Sequence, residues 1–192
     1  MVQKIKENAE NGTMGLFAYF LLYTGLRKGE ALALIFNDID MDNKVIHVNK
    51  TLVYKGSQGF IKPCTKTEAG MRDVNILSVL LPKLPKGKPD TPVFANTNGE
   101  YITNSQYSRM WNKYLKDSGI KDILDTTGTT LCAHQLRHAF ATILYEAEIP
   151  VKDAQELMGH ADIQTTHKIY THISEKRRQI TVDKLEDFLS NQ

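Results

Sequence analysis

The stretch His134–Pro150, "HQLRHAFATILYEAEIP", places two histidines and an arginine within little more than one turn of a helix. At about 100° per residue, His134, Arg137 and His138 fall on one side, and Leu136, Phe140, Ile143 and Leu144 on the other. The histidine spacing is that of the H-E-x-x-H zinc helix, in which the intervening glutamate acts as general base. Gln135 occupies that place here and accepts no proton at neutral pH, while Arg137 sets a permanent charge where a cation would sit. Metal-dependent hydrolysis is therefore set aside. A helix that buries one face and presents a cationic, hydrogen-bond-donating face suits a phosphate instead. Its free oxygens accept forked bonds from guanidinium and single bonds from imidazole.

The charge distribution points the same way. Net charge over 192 residues is +2, yet Lys44, Lys50, Lys55, Lys62, Lys66 and Arg72 face a single acid, Glu68, between positions 44 and 72, a local balance of +5. A basic element on a near-neutral body is the electrostatic outline of a protein that tracks a phosphate backbone. No apolar run approaches the eighteen or so residues of a membrane span, and no signal peptide is evident, so an intracellular protein is expected. Two widely spaced cysteines, Cys64 and Cys132, fit reduced thiols.

Periodicity supplies the frame. Leu16, Phe17, Phe20 and Leu21 mark a helix over about 4–23, interrupted by Thr24-Gly25, and a second helix follows from about Arg27. "KVIHVNKTLVY", "FIKPCTKT" and "RDVNI" read as three antiparallel strands that carry the basic run. After a short helix at "LSVLLPKL" the chain is mainly helical: "NSQYSRMWNKYLKDSGI", the His134 helix, "PVKDAQELMGH" opening at Pro150, "DIQTTHKIY" and a terminal "EKRRQITVDKLEDFLSNQ". The expected class is α+β: mainly helical, with a small three-stranded antiparallel sheet.

Four segments, "TGLRKGEALAL" (24–34), "TKTEAGMRDVNI" (65–76), "HQLRHAFAT" (134–142) and "ELMGHADIQTTHKIY" (156–170), occur in an order that resembles the catalytic domain of tyrosine recombinases, the phage and conjugative-transposon integrases. The resemblance implies attack on a DNA phosphodiester by Tyr170, giving a 3′-phosphotyrosyl link and a 5′-hydroxyl, with no metal and no nucleotide. It assigns Arg27, Arg137, His134 and His160 to the phosphate, and His134 is also a candidate base. Lys66 is the general acid, with Lys62 on the same hairpin as the alternative. Glu30 orients the site. Lys44, Lys50, Lys55, Lys62 and Arg72 are expected on DNA. The role of His138 stays open.

The same resemblance implies one catalytic domain over 1–192, the C-terminal part of a longer integrase. Its tail, about 175–192, is exchanged between protomers of a homotetramer on double-stranded DNA. Without a DNA clamp the fragment is expected to be monomeric and to bind DNA weakly. Accessory DNA-bending or excision factors, a nucleoid location in a bacterial cytoplasm, no membrane, and integration and excision of mobile elements complete the expectation. Type IB topoisomerases share the chemistry, but His160 only ten residues before Tyr170 favours recombinases. A full set of ligand types argues against a non-catalytic DNA-binding module.

Overall fold

The computed structural model describes residues 1–64, 71–128, 131–159 and 163–190, apart from the side chains of residues 176, 180, 184, 188 and 190. The chain folds as two compact units, Met1–Phe140 and Ala141–Gln192.

The first unit is organised around α2 (Gly12–Thr24), whose Met14, Phe17, Ala18, Tyr19, Phe20, Leu21 and Leu22 are all buried. A helix apolar on every side belongs inside. Phe17 and Phe20 turn ring edges toward Phe94, with centroids 5.1 and 5.2 Å away, and Phe17 also meets Tyr107 and Trp111 of α4 (Asn104–Asp117). The single N-terminal helix expected over 4–23 is two. α1 (Val2–Glu7) is closed by Asn8, whose side chain donates to the Lys4 carbonyl, and Gly12 starts α2 at φ +63°. The turn-forming "NAENG" thus overrides the apolar period.

α3 (Lys28–Ala33) lies on β3 (Lys50–Lys55), and Gly29 makes the approach possible: a Cβ there would stand 2.5 Å from Thr51 Oγ1 and 2.7 Å from the Leu52 carbonyl oxygen. All strands pair antiparallel, but they divide differently from the expected three. "KVIHVNKTLVY" breaks at Asn49 into β2 (Val45–Val48) and β3. β1 (Ile39–Asp40), β2 and β5 (Arg72–Asn75) make a three-stranded sheet, whereas β3 pairs with β4 (Gln58–Pro63) alone, as a hairpin. "LSVLLPKL" holds a single 3₁₀ turn, Leu81–Lys83, with Pro82 as its second residue, rather than the expected helix.

α4 begins with a reciprocal cap: the Gln106 amide donates to Thr103 Oγ1 and Thr103 N donates to Gln106 Oε1. α5 (Ile120–Thr127) follows, and α6 runs Ala133–Glu146. In the second unit α7 (Val151–Met158) packs on α8 (Ile163–Ser190), one continuous helix where the sequence suggested two separate stretches. Ala154, Met158, Thr166 and Tyr170 are buried here, whereas Val182, Leu185 and Leu189 are 41%, 57% and 60% exposed. Their i, i+3, i+7 spacing forms an apolar stripe facing solvent.

Candidate active site

Arg27 is placed by the backbone that precedes it. α2 ends at Thr24, whose hydroxyl returns to the Phe20 carbonyl, and Gly25 turns the chain in the left-handed region at φ +62°. Leu26 is then fully buried, and Arg27 is the residue before the first turn of α3. Its Nη1 donates to Glu30 Oε1 at 2.8 Å and its backbone N to Glu30 Oε2 at 2.9 Å. Glu30 thus holds the arginine by its backbone and its guanidinium while serving as the α3 cap. The Arg27 side chain keeps 47% of its surface exposed.

Glu30 has a further partner. Arg72 on β5 donates from Nη1 to Oε1 at 3.2 Å and from Nη2 to Oε2 at 2.9 Å. Burial alone would raise the Glu30 pKa, but the hydrogen bonds and charge of Arg72, and then those of Arg27, hold it below the usual carboxylate value. Arg72 is thus turned inward with 10% of its side chain exposed, a correction to its expected place on DNA. Period-two alternation explains it, because Arg72 shares a strand face with buried Val74.

Arg137 completes the cluster. It lies 4% exposed on α6, so the expected cationic face is split: His134 and His138 reach solvent and the guanidinium between them does not. Nη1 donates to the Gly25 carbonyl at 2.5 Å, whereas Nη2 is buried with no hydrogen-bond partner among the described residues. Burial and then the neighbouring Arg27 charge lower the Arg137 pKa to about 10, which leaves it a cation at neutral pH. Three guanidiniums, Arg27, Arg72 and Arg137, surround one carboxylate. The balance is +3 − 1 = +2 in a largely desolvated place, with one donor awaiting an acceptor. Such a site takes an anion.

The His134 and His138 rings meet edge to face, centroids 4.5 Å apart. Burial, and then the charges of His134 and Arg137, lower the His138 pKa, which favours the neutral ring near pH 7. In the second unit, Tyr170 is 8% exposed, its ring edge to Tyr145 at 5.3 Å, and its hydroxyl donates to the Ile149 carbonyl at 3.3 Å. Burial raises its pKa, which keeps the phenol protonated. Lys66 and His160 lie outside the described residues.

Of the expected DNA-facing lysines, Lys44, Lys55 and Lys62 are exposed. Lys50 is not: its Nζ bridges both carboxylate oxygens of buried Asp38, at 2.7 and 2.5 Å. It shares the inner strand face with Leu52, and the pairing neutralises a carboxylate that could not otherwise be buried.

Residues 1–177 match the model of the phage integrase family. A XerC-like tyrosine recombinase of Caldanaerobacter subterraneus is 29% identical over 204 residues, covering 97% of this chain and 52% of that protein. The integrase of Staphylococcus phage L54a is 32% identical, covering 85% and 49%, and XerD of Listeria monocytogenes 33%, covering 92% and 57%. The chain spans about half the length of the curated relatives it matches. Among solved structures, the Tn1549 transposon integrase in complex with circular intermediate DNA superposes with TM-score 0.69 at 27% identity, covering 89% of this chain and 59% of that one. The catalytic domain of bacteriophage HP1 integrase shares the fold, at TM-score 0.56 and 20% identity over 89% and 83%. The helical fold, the arginine cluster seated on "TGLR" and "HQLRH", and the match across 1–177 agree, and the chain belongs to the phage integrase family.

Proposed function

We propose that this chain supplies the catalytic domain of a site-specific DNA recombinase, one that cleaves and rejoins strands through a 3′-phosphotyrosyl link to Tyr170 during integration and excision of a mobile element. The observation that carries this is the buried Arg137, whose Nη2 lacks an acceptor among the described residues, inside a cluster of net charge +2. A phosphodiester brings one negative charge, and attack raises it toward two. Cations fixed in advance of that change stabilise the transition state more than the ground state.

Attack forms the bond from the Tyr170 oxygen to phosphorus and breaks the bond to the 5′-oxygen. The phenol proton leaves as the first bond forms, with His134 as its acceptor, and Lys66 protonates the departing oxygen. The hydroxyl must first exchange its bond to the Ile149 carbonyl for the phosphate. The phosphotyrosyl link keeps the energy of the bond it replaces, so no nucleotide is consumed. Exposed Lys44, Lys55 and Lys62 hold the DNA backbone. The solvent-facing stripe Val182, Leu185 and Leu189 supports a homotetramer in which protomers exchange this tail on double-stranded DNA, with accessory DNA-bending factors, in the nucleoid of a bacterial cytoplasm.

A nicked duplex, selected for binding from a randomised pool, tests the reading in the presence of chelator. The protein is expected to accumulate as a covalent DNA adduct, and Tyr170→Phe to bind equally well without forming one. An adduct on the Tyr170→Phe protein, or cleavage that leaves a free 3′-hydroxyl and requires metal, would overturn it.

A further inference from the structure

We propose that Arg72 is a positioning residue of the cleavage reaction, holding Glu30 so that Glu30 in turn fixes Arg27, and that it takes no part in binding DNA. This rests on the recombinase reading above. Both terminal nitrogens of Arg72 are engaged with Glu30, and its Nε is buried without a partner among the described residues. With 10% of its side chain exposed, Arg72 offers no surface to a duplex. An arginine committed in this way serves the carboxylate that it holds.

The carboxylate explains why such a partner is needed. Glu30 accepts four hydrogen bonds, two from Arg27 and two from Arg72, which fill the roughly four lone-pair positions of an ionised carboxylate. The Arg72 pair approaches as a fork, one nitrogen on each oxygen, and a fork fixes the plane of the carboxylate as well as its place. The plane matters because Oε2 holds the backbone and Oε1 the guanidinium of the same residue. Without the fork the carboxylate can rotate, Oε1 no longer faces Nη1, and Arg27, already half exposed, loses its guanidinium hydrogen bond to Glu30. Arg72 also ties β5 to α3 across 42 residues of sequence, so the site is braced by two elements that local pairing alone does not connect.

The test has a reactive and a non-reactive arm. In single-turnover adduct formation at saturating protein, Arg72→Met should slow cleavage by tens of fold and up to about 100-fold, the loss expected for a catalytic group held about 1 Å out of place. Affinity for the same duplex should stay within about twofold of the parent, because Arg72 contributes no phosphate contact. Glu30→Gln should slow cleavage comparably, and the double variant should be no slower than the worse single, since both act through Arg27. Arg72→Lys, which keeps the charge but not the fork, should fall between parent and Arg72→Met, and it carries the test if Arg72→Met does not fold. In the protein without DNA, NMR relaxation of the Arg27 Nε should report a more mobile guanidinium in Arg72→Met. An immobile Arg27, parental cleavage by Arg72→Met, multiplicative losses in the double variant, or a duplex affinity that falls as far as the rate would each overturn the proposal. A parent protein that forms no adduct would instead refute the recombinase reading, and the NMR arm would still decide whether Arg72 orders Arg27.

Discussion

Gly25 joins Arg27 and Arg137, the two arginines proposed to meet the phosphate, and replacing it with alanine tests that connection. The residue sits at φ +62°, and an added Cβ would lie 2.8 Å from Phe140 Cε1 and closer still to Cδ1. Two penalties follow. A left-handed non-glycine residue costs about 1–2 kcal/mol, and forcing a methyl against a packed ring adds about 1–3 kcal/mol, offset by roughly 0.4–1 kcal/mol from the stiffer unfolded chain. Gly128 isolates the second penalty. It also ends a helix, at φ +64°, but a Cβ there meets nothing within 4 Å among the described residues. Gly25→Ala should therefore melt below Gly128→Ala by about 2–12 °C, taking about 2–4 °C per kcal/mol for a chain of this size. Because Arg137 bonds to the Gly25 carbonyl, the Gly25 variant should also cleave more slowly at temperatures where it is fully folded, and Gly128→Ala should not. Equal melting temperatures would refute the steric argument. An unchanged cleavage rate would refute the link between the turn and the arginines.

Arg137→Lys keeps a charge but not the fork, and should lower the single-turnover cleavage rate by about 100- to 1000-fold; a loss under threefold would remove Arg137 from the reaction. Lys44→Ala, Lys55→Ala and Lys62→Ala should each reduce the slope of log affinity for duplex against log salt by about 0.9, read by fluorescence anisotropy. Lys50→Ala should leave that slope alone and cost about 3–5 kcal/mol in urea unfolding, because it strands the buried Asp38 carboxylate. Glu30 gives a pH dependence. Its pKa is depressed on folding, so its contribution is present above its unfolded value near 4.5 and is lost as pH falls through the lower folded value. Glu30→Gln should thus be less stable than the parent at pH 7, with a gap that narrows in urea titrations carried progressively below pH 4.5; a gap independent of pH would show that charge is not what Arg72 and Arg27 hold.

Local chemistry carried much of the fold. Thr24-Gly25 stops α2 through a hydroxyl and a left-handed glycine, both legible in the letters, and Leu136, Phe140 and Leu144 do bury one side of α6. Errors arose where a charge is neutralised by a residue far along the chain. Lys50 and Arg72 counted as surface cations in a basic run, although alternation with Leu52 and Val74 put both on an inward face. What permits them there is Asp38 and Glu30, 12 and 42 positions away, and no local pattern announces those pairings. The continuity of α8 was hidden for the opposite reason. Beyond Tyr170 its described side chains are mostly exposed, so although Val182, Leu185 and Leu189 keep a helical spacing, no buried face links that stripe to Tyr170, and residues of good helix propensity carry the helix between them.

Arg137 shows how the two kinds of knowledge combine. The helical angle grouped it with His134 and His138 as a solvent-facing polar patch, a geometry equally suited to a helix that merely meets water. Burial removes that alternative. A guanidinium with 4% exposure cannot exchange its lost hydration for bulk water, and one of its terminal nitrogens has received nothing in return among the described residues. Burial first, and then the positive charge of Arg27, depress its pKa despite the opposing charge of Glu30. A chain that keeps such a residue buried holds an unfavourable arrangement in the absence of ligand, and an anion with several acceptor oxygens relieves the orphaned donor and the excess charge together. The relief grows as the anion gains charge. That is why a cluster proposed to bind a phosphodiester is also suited to accelerate its cleavage, and why Arg137 and Arg27 should weigh more heavily on the rate than on DNA affinity.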